Sequence, residues 1–252
     1  MKTSGILITC ACALMVSLQE CTKTTEQPFN APAQLKGKVL TTTQFGIVAT
    51  EQNGVLVSAQ DTDPAITSTT DNDGNYFLDN IPTGTYNFLA EKQGYGASHL
   101  QGLALVGGHK AQYVYFRINE KSTTLLNNMT LSLDTSILNS SQVRVNGVAS
   151  HTSLPTTYYF NIRAFVFLGK TPGVSSADYV QLASITIDVP TGSNISKAIY
   201  YDKSLFPGGS TIYAKVYGVA TYDFGYLDRI SNKIIYTSLN ENGSDVASIL
   251  LP

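Results

Sequence analysis

Residues 70–86 set the pattern for the whole chain, because polar turns alternate there with short hydrophobic stretches. Residues 71–75 are all Asp, Asn or Gly, which favour a chain reversal because Asx side chains bond their own backbone and Gly accepts a positive φ. Residues 76–78 are Tyr, Phe and Leu, which favour a strand, and Pro82 and Gly84 predict the next reversal. The stretch therefore predicts two antiparallel strands joined by a tight turn.

The same alternation predicts a first β module over residues 35–119. The predicted strands are residues 35–40 with 47–49 as a continuation, 55–59, 66–70, 76–78, 86–90, 103–106 and 113–118. Asn53-Gly54 and Gly107-Gly108 are turn signals between them. Short strands at this spacing are typical of a β-sandwich.

Residues 120–252 predict a second sandwich, with a polar segment at 120–128 as the boundary. Its predicted strands are residues 129–133, 143–148, 158–168, 179–187, 195–201, 211–222, 233–237 and 246–251. In the third of these, Tyr158, Phe160, Ile162, Ala164 and Val166 share one face, and Phe165 and Phe167 point the other way. The predicted fold class is all-β, and the strand number favours an immunoglobulin or fibronectin type III style for this module.

Composition agrees with an all-β protein and argues against one class of partner. The chain has 15 Tyr and 10 Phe but no Trp, which suits half-buried β surfaces. Only 13% of its 252 residues are charged and the formal net charge is -2, so no basic footprint for nucleic acid is present. We predict no nucleic-acid partner.

The first 21 residues have the layout of a secretory signal. Lys2 supplies a positive charge, residues 5–18 form an apolar run, and Cys21 closes the segment. The run is shorter than the roughly 18 to 20 residues that span a bilayer. No cysteine follows Cys21, so the folded part needs no disulfide.

A cysteine that closes a signal peptide resembles the bacterial lipoprotein signal, in which that cysteine receives the lipid. The resemblance implies lipidation at Cys21 and a membrane partner through the anchor. Residues 22–34 are rich in Thr, Gln and Pro and would form a flexible tether. A plain secretory signal or an uncleaved anchor is the alternative.

Five segments of the first module resemble the carboxypeptidase regulatory-like domain. They are residues 37–39, 54–57, 70–76, 81–86 and 92–95. The resemblance implies a transthyretin-like sandwich, grouped with starch-binding-like and carbohydrate-binding-like folds, of a kind that recurs as a usually non-catalytic part of Bacteroidetes surface proteins. The segment between Val39 and Gly54 is longer and richer in Thr than the family pattern.

The residues needed for catalysis are not arranged in a recognisable pattern. His99, His109 and His151 have no nucleophile in a known frame beside them, and Gly208-Gly209-Ser210 reads as a hairpin turn. The His and Glu ligands of a zinc carboxypeptidase are not found at a close-set spacing. We predict no catalytic residue and no cofactor.

Asp71 and Asp73 begin like a calcium-binding loop. The later oxygen ligands of such a loop fall where this sequence has Tyr, Phe and Leu. A polar turn is therefore the favoured interpretation, with these two carboxylates as the candidate metal ligands that a calcium titration would test.

Tyrosines are concentrated in one part of the second module: Tyr200, Tyr201, Tyr213, Tyr217, Tyr222 and Tyr226. They could form an aromatic platform for sugars or peptides, or simply the core and rim of alternating strands. The best local candidate is Tyr222-Asp223-Phe224-Gly225-Tyr226, because loops at the end of a sandwich commonly bind ligands. The candidate ligand-binding residues are Tyr222, Phe224 and Tyr226.

These observations predict a cell-envelope lipoprotein of the outer membrane that acts as a non-catalytic surface binding or adaptor module. Its ligand would be a glycan, a peptide or another envelope protein. Two alternatives stay open: a structural spacer or assembly component whose edge strands pair with partner chains, and an accessory subunit of a peptidase.

Overall fold

The computed structural model describes residues 31–134, 141–152 and 162–252, and the regular elements in these residues are β-strands. The predicted all-β class is confirmed. In this part of the chain no helix has the length and apolar character needed to cross a membrane. Residues 1–30, with the predicted signal, Cys21 and most of the predicted tether, lie outside the described residues, and so do residues 158–161 of a predicted strand.

The first module consists of two packed sheets. Its strands are β1 (Ala33–Thr42), β2 (Leu56–Ala59), β3 (Ile66–Thr69), β4 (Asn75–Ile81), β5 (Gly84–Glu91), β6 (Ser98–Leu105) and β7 (Gln112–Asn119). One sheet has the order β4-β1-β7, with β7 parallel to β1, and the other has the order β3-β2-β5-β6. Their inner side chains form one buried cluster, so this module is a sandwich with its own core.

The turn before β4 shows how the sequence produces this fold. The Asp71 carboxylate accepts hydrogen bonds from the amides of Asp73 at 2.9 Å and Asn75 at 2.8 Å. Gly74 has a φ of 82°, and its carbonyl accepts a bond from the Val39 amide at 2.8 Å. A Cβ at Gly74 would lie 2.4 Å from the Val39 carbonyl oxygen, so only glycine lets the turn pack on β1.

The second module is also a two-sheet sandwich. Its strands are β8 (Leu125–Leu133), β9 (Gln142–Ser150), β10 (Ile162–Gly169), β11 (Gln181–Ile187), β12 (Asn194–Tyr200), β13 (Thr211–Val219), β14 (Tyr226–Asp228), β15 (Lys233–Ile235) and β16 (Ala247–Leu250). The sheet β12-β9-β8 packs on the sheet β11-β10-β13-β16 around one core cluster, and β14 pairs with β15 as a separate hairpin. Three strands against four antiparallel strands is an immunoglobulin-like arrangement.

The two faces of β10 follow the predicted alternation. Ile162, Ala164 and Val166 lie in the core between the sheets, whereas Phe165 and Phe167 lie on the opposite face. That outer face is not open to solvent, because a further hydrophobic cluster covers it.

Several predicted strand limits are wrong. Residues 47–49 do not continue β1: the chain reverses at Gly46, whose φ is 81°, and Val48 makes a single antiparallel bridge back to Thr42. Residues 33 and 34, predicted as the end of the tether, belong to β1. β6 begins at Ser98, before the predicted start at residue 103. The prediction missed this part of the strand because its residues are mostly polar and show no apolar alternation.

The second module differs from prediction at three further points. β8 begins at Leu125, inside the segment predicted as a polar boundary. β13 ends at Val219, before the predicted end at residue 222, because the Asp223 amide donates to the Ala220 carbonyl at 3.2 Å and turns the chain. The short strand β14 was not predicted, since three residues are too few to show a period.

Candidate functional site

Residues 222–226, the predicted binding loop, connect β13 to β14 and lie against the first module. The side chain of Asp223 holds the loop in shape and is buried. Its carboxylate accepts hydrogen bonds from the Gly225 amide at 2.8 Å, the Ser238 amide at 2.8 Å and the Ser238 hydroxyl at 2.6 Å. Asp223 therefore ties the loop to the segment that follows β15.

The turn at residues 43–47 of the first module fixes the position of that module on the second. The Phe45 side chain is buried in the core cluster of the second module. The Gln44 side chain accepts from the Thr123 amide at 2.9 Å and donates to the Thr152 hydroxyl at 2.9 Å. The long, Thr-rich segment between Val39 and Gly54 thus contains the contact that joins the two sandwiches.

A second contact brings the two backbones close together. The Thr237 hydroxyl of the second module donates to the Ala97 carbonyl of the first at 2.7 Å. A Cβ at Gly96 would lie 2.6 Å from the Thr237 carbonyl carbon. Glycine at this position therefore permits the close approach of the modules.

Between these contacts lies a cleft of about 210 Å³, lined by both modules. The predicted residues Tyr222, Phe224 and Tyr226 all line it, and the first module contributes His99, Arg117 and Asn119. The structure thus brings the three predicted residues together at a module interface, which is a preferred place for ligand sites. Sequence reasoning did not find the three residues of the first module.

The aromatic side chains of the cleft have different surroundings. The Tyr222 ring lies against Gly46, where a Cβ would be 2.3 Å from it, and the Arg117 guanidinium lies 5.4 Å from the ring centroid. Tyr226 stacks on His99 with ring centroids 4.1 Å apart. The Phe224 side chain is 73% exposed, so its ring face is available to a ligand.

The polar groups of the cleft differ in the number of hydrogen bonds that they make. The Asn119 side-chain amide donates to the Tyr222 carbonyl at 3.4 Å, and its oxygen accepts from the Thr42 hydroxyl at 2.7 Å. Within the described residues, no hydrogen bond or ion pair engages the Arg117 guanidinium. Burial lowers the pKa of His99, and the charge of Glu91 opposes this only in part. A neutral imidazole and a charged guanidinium therefore face the cleft at neutral pH.

The other tyrosines do not belong to one platform. Tyr213 and Tyr217 pack with Phe167 on the outer face of the four-stranded sheet, and Tyr201 packs against the core of the second module. Tyr200 lies on β12 and is 68% exposed. The six tyrosines thus divide into three packing residues, the exposed Tyr200, and two residues of the cleft, Tyr222 and Tyr226.

The two candidate metal ligands lie in the turn before β4. The hydrogen bonds from Asn75 lower the pKa of the Asp71 carboxyl, so this side chain acts in closing the turn. No cluster of three or more His, Cys, Asp or Glu side chains suited to a metal ion is found in residues 31–134, 141–152 and 162–252. The ring nitrogens of His151 lie 2.8 Å from the Thr152 carbonyl oxygen and 3.0 Å from that of Val189.

Among solved structures, the chain is similar to a candidate carbohydrate-binding protein from Bacteroides uniformis, with 12% identity, 88% of this chain and 100% of that chain covered, and a TM-score of 0.34. It is also similar to a DUF3823 family protein from Parabacteroides merdae, with 15% identity, 87% and 99% coverage, and a TM-score of 0.32. Scores at this level assign neither a fold nor a ligand to this chain.

Comparison with curated proteins finds no match. The model of the carboxypeptidase regulatory-like domain matches residues 34–119, which confirms the resemblance seen in the sequence and identifies no catalytic family. The first sandwich of this protein, residues 34–119, is therefore a carboxypeptidase regulatory-like domain.

Proposed function

We propose that the protein is a non-catalytic binding protein of the bacterial cell envelope and that the cleft between its modules binds a glycan. The observation that carries this proposal is the open ring face of Phe224 in a cleft that the Arg117 guanidinium also lines. A flat aromatic face stacks on a pyranose ring, and a few convergent polar groups fix its orientation.

The polar groups of the cleft suit sugar hydroxyls. The Arg117 guanidinium offers N–H donors in a rigid fork, and the Asn119 amide carries a second N–H besides the one that it donates to the Tyr222 carbonyl. Hydroxyl groups both accept and donate, so a sugar could satisfy these donors and bond to the His99 imidazole as well.

The use of the Asp223 carboxylate favours binding over catalysis. Among the described residues that line the cleft, Asp223 is the sole carboxylate, and its oxygens accept three hydrogen bonds from Gly225 and Ser238. A carboxylate that holds a loop in this way is not available as a general base.

A glycan array followed by titration calorimetry tests the proposal. The full-length protein in mild detergent is compared with Phe224→Ala, and Tyr200→Ala is the matched control because that ring is equally open but lies on β12. We expect the Phe224→Ala variant to bind array hits about tenfold more weakly and the control to bind normally. If Phe224→Ala binds the glycans as tightly as the wild-type protein does, the cleft is not the glycan-binding site.

The proposed location rests on the sequence of the first 21 residues, with Cys21 as the lipid attachment site and the outer membrane as the expected compartment. Cells labelled with a palmitate analogue provide the test. The label should be found on the wild-type protein and be lost from Cys21→Ala. Label retained by the variant would contradict the lipid anchor.

A structural spacer is the second candidate function. The rigid contact made by Gln44 and Phe45 supports it, because a spacer must hold its modules in one orientation. The same array distinguishes the two functions, since a spacer predicts no reproducible glycan binding.

A further inference from the structure

The outer face of the β4-β1-β7 sheet carries exposed aromatic rings that do not pack in the core. Along β7, Phe116 and Ile118 point into the core, so the alternate positions Tyr113 and Tyr115 point outward, where they are 63% and 51% exposed. Phe77 on β4 is exposed on the same face. Side chains two residues apart on one strand are separated by roughly 7 Å, so the two tyrosines form a row along β7.

A row of cations runs beside these tyrosines. In the parallel pairing of β1 with β7, Lys36 is opposite Tyr113 and Lys38 is opposite Tyr115. Neighbouring strands are about 4.8 Å apart, so each lysine side chain leaves the sheet beside a tyrosine of β7. The next outward position of β7 is Arg117, which also lines the cleft.

Two carboxylates, Asp79 and Asp71, lie near this face. Asp79 accepts a hydrogen bond from the Gln34 side chain at 3.0 Å. Asp71 lies near Lys38, and its pKa is lowered mainly by hydrogen bonds from Asn75 and only slightly by that lysine. Hydrogen bonds from amides leave both carboxylates charged, but Asp79 lies on β4 and Asp71 in the turn before it, whereas the cations lie on β1 and β7. The charge along β1 and β7 is therefore positive, although the formal charge of the whole chain is -2.

We infer that this face binds an acidic polysaccharide whose chain runs along β7 toward the cleft. Sugar rings stack on Tyr113 and Tyr115, and carboxylate groups of successive sugars pair with Lys36, Lys38 and Arg117. A polymer of ring-plus-carboxylate units matches a surface that repeats a ring and a cation. A folded protein partner fits less well, because a flat sheet face offers no pocket for an anchoring side chain.

This inference extends the proposed glycan function to a second surface and names the chemical class of the glycan. It does not depend on Phe224. The two proposals can therefore fail separately: loss of neutral-glycan binding in Phe224→Ala reports on the cleft, and loss of acidic-polymer binding in variants of the sheet face reports on this surface.

Affinity electrophoresis with polygalacturonate provides the test, with methyl-esterified polygalacturonate as the polymer control that keeps the rings and loses the charge. The full-length protein in mild detergent should bind the acidic form about tenfold more tightly than the ester, and added salt should weaken this preference. The double variant Tyr113→Ala/Tyr115→Ala should lose about tenfold in affinity, whereas Tyr200→Ala should not.

Variants of the two lysines of β1 test the contribution of charge to this binding. Lys36→Gln/Lys38→Gln should reduce binding of the acidic polymer about fivefold and leave binding of the ester unchanged, with Lys170→Gln, an exposed lysine of the second module, as the control. All these side chains are solvent-accessible, so an unchanged melting temperature verifies folding. Equal binding of the two polymers, unchanged binding by the tyrosine variant, or no binding of polygalacturonate by the wild-type protein would overturn the inference.

Discussion

The outer face of β4-β1-β7 and the outer face of β11-β10-β13-β16 both carry aromatic side chains at alternate positions of a strand. On the first, Tyr113 and Tyr115 are more than half exposed. On the second, Phe167 is 0% exposed and Tyr217 is 8% exposed. The same sequence pattern thus leads to an open aromatic surface in one module and to a buried cluster in the other.

The difference comes from the connections that cross the second face. Tyr179, between β10 and β11, contacts Phe167 at a centroid distance of 5.0 Å, and Tyr236, after β15, contacts Phe165 at 4.3 Å. Strand alternation decides which side chains point outward. Whether they are then buried depends on the length and composition of distant connections.

The largest expected effect is on Phe167, because its ring lies in the covered cluster. We expect Phe167→Ala to lower the free energy of unfolding by about 3 to 5 kcal/mol, since it removes a fully buried ring and leaves a cavity. Urea denaturation measures the change. Phe77→Ala is the matched control on the open face and should change stability by less than about 1 kcal/mol. Similar losses in both variants would show that the two faces do not differ energetically.

Phe45 is an aromatic residue of the first module that is covered by the second. Phe45→Ala should cost about 3 kcal/mol, because it removes a buried ring from the second core and loosens the contact between the modules. Limited proteolysis, run beside urea denaturation, should cut the region between the modules sooner in this variant. Val48→Ala, an exposed change in the same segment, should behave like the wild-type protein. A Phe45→Ala protein with wild-type protease resistance would contradict the role of this contact.

Residues 236–239 cover part of the outer face of the four-stranded sheet, because Tyr236 and Leu239 pack on its aromatic cluster. Asp223 links the cleft to this covering segment, since its carboxylate accepts two hydrogen bonds from Ser238. Asp223→Asn should lower stability by about 1 to 3 kcal/mol because it leaves a buried amide or hydroxyl poorly paired. It should also increase binding of an apolar dye, because the segment over Phe165 and Tyr217 is released. Asp228→Asn, at the end of β14, should give a smaller loss because that carboxylate is not buried. Unchanged dye binding in Asp223→Asn would mean that this carboxylate does not hold the covering segment.

The sequence could predict what depends on neighbouring residues. The turn at Asp71 to Gly74 and the two faces of β10 follow from local chemistry and strand period, and both are confirmed. Residues 222–226 were recognisable as a polar, aromatic loop at a strand end. Strands as short as β14, or as polar at the start as β6, gave too little periodic signal.

The first-module side of the cleft could not be predicted, because it depends on how two sandwiches pack. His99, Arg117 and Asn119 meet the loop because Gln44 and Phe45 dock into the second module and Gly96 lets the chains approach closely at Thr237. The one available signal was the extra length between Val39 and Gly54, which departs from the family pattern. An insertion that contains a large apolar residue is a reasonable place to search for such a contact.

The smallest expected effect concerns His99, whose ring is neither open nor fully covered because it stacks on Tyr226. Burial lowers the pKa of His99 from its usual value of 6.5. The unfolded chain therefore binds a proton at higher pH than the folded chain, so stability falls as the pH drops through about 6.5 toward the folded pKa. Above that range the contribution is fully present.

His99→Gln removes this titration and keeps a polar side chain beside Tyr226. Melting temperatures measured from about pH 7 to about pH 5 should fall less steeply in the variant than in the wild-type protein. The exposed carboxyls of Asp188, Asp202 and Glu241 have lowered pKa values and lose their contribution only at more acidic pH, so they do not interfere in this range. If melting temperature falls equally with pH in the two proteins, the His99 ring is as accessible to solvent as the open tyrosines of β7. A smaller fall in the variant shows that the His99 ring is shielded from solvent, like the covered rings.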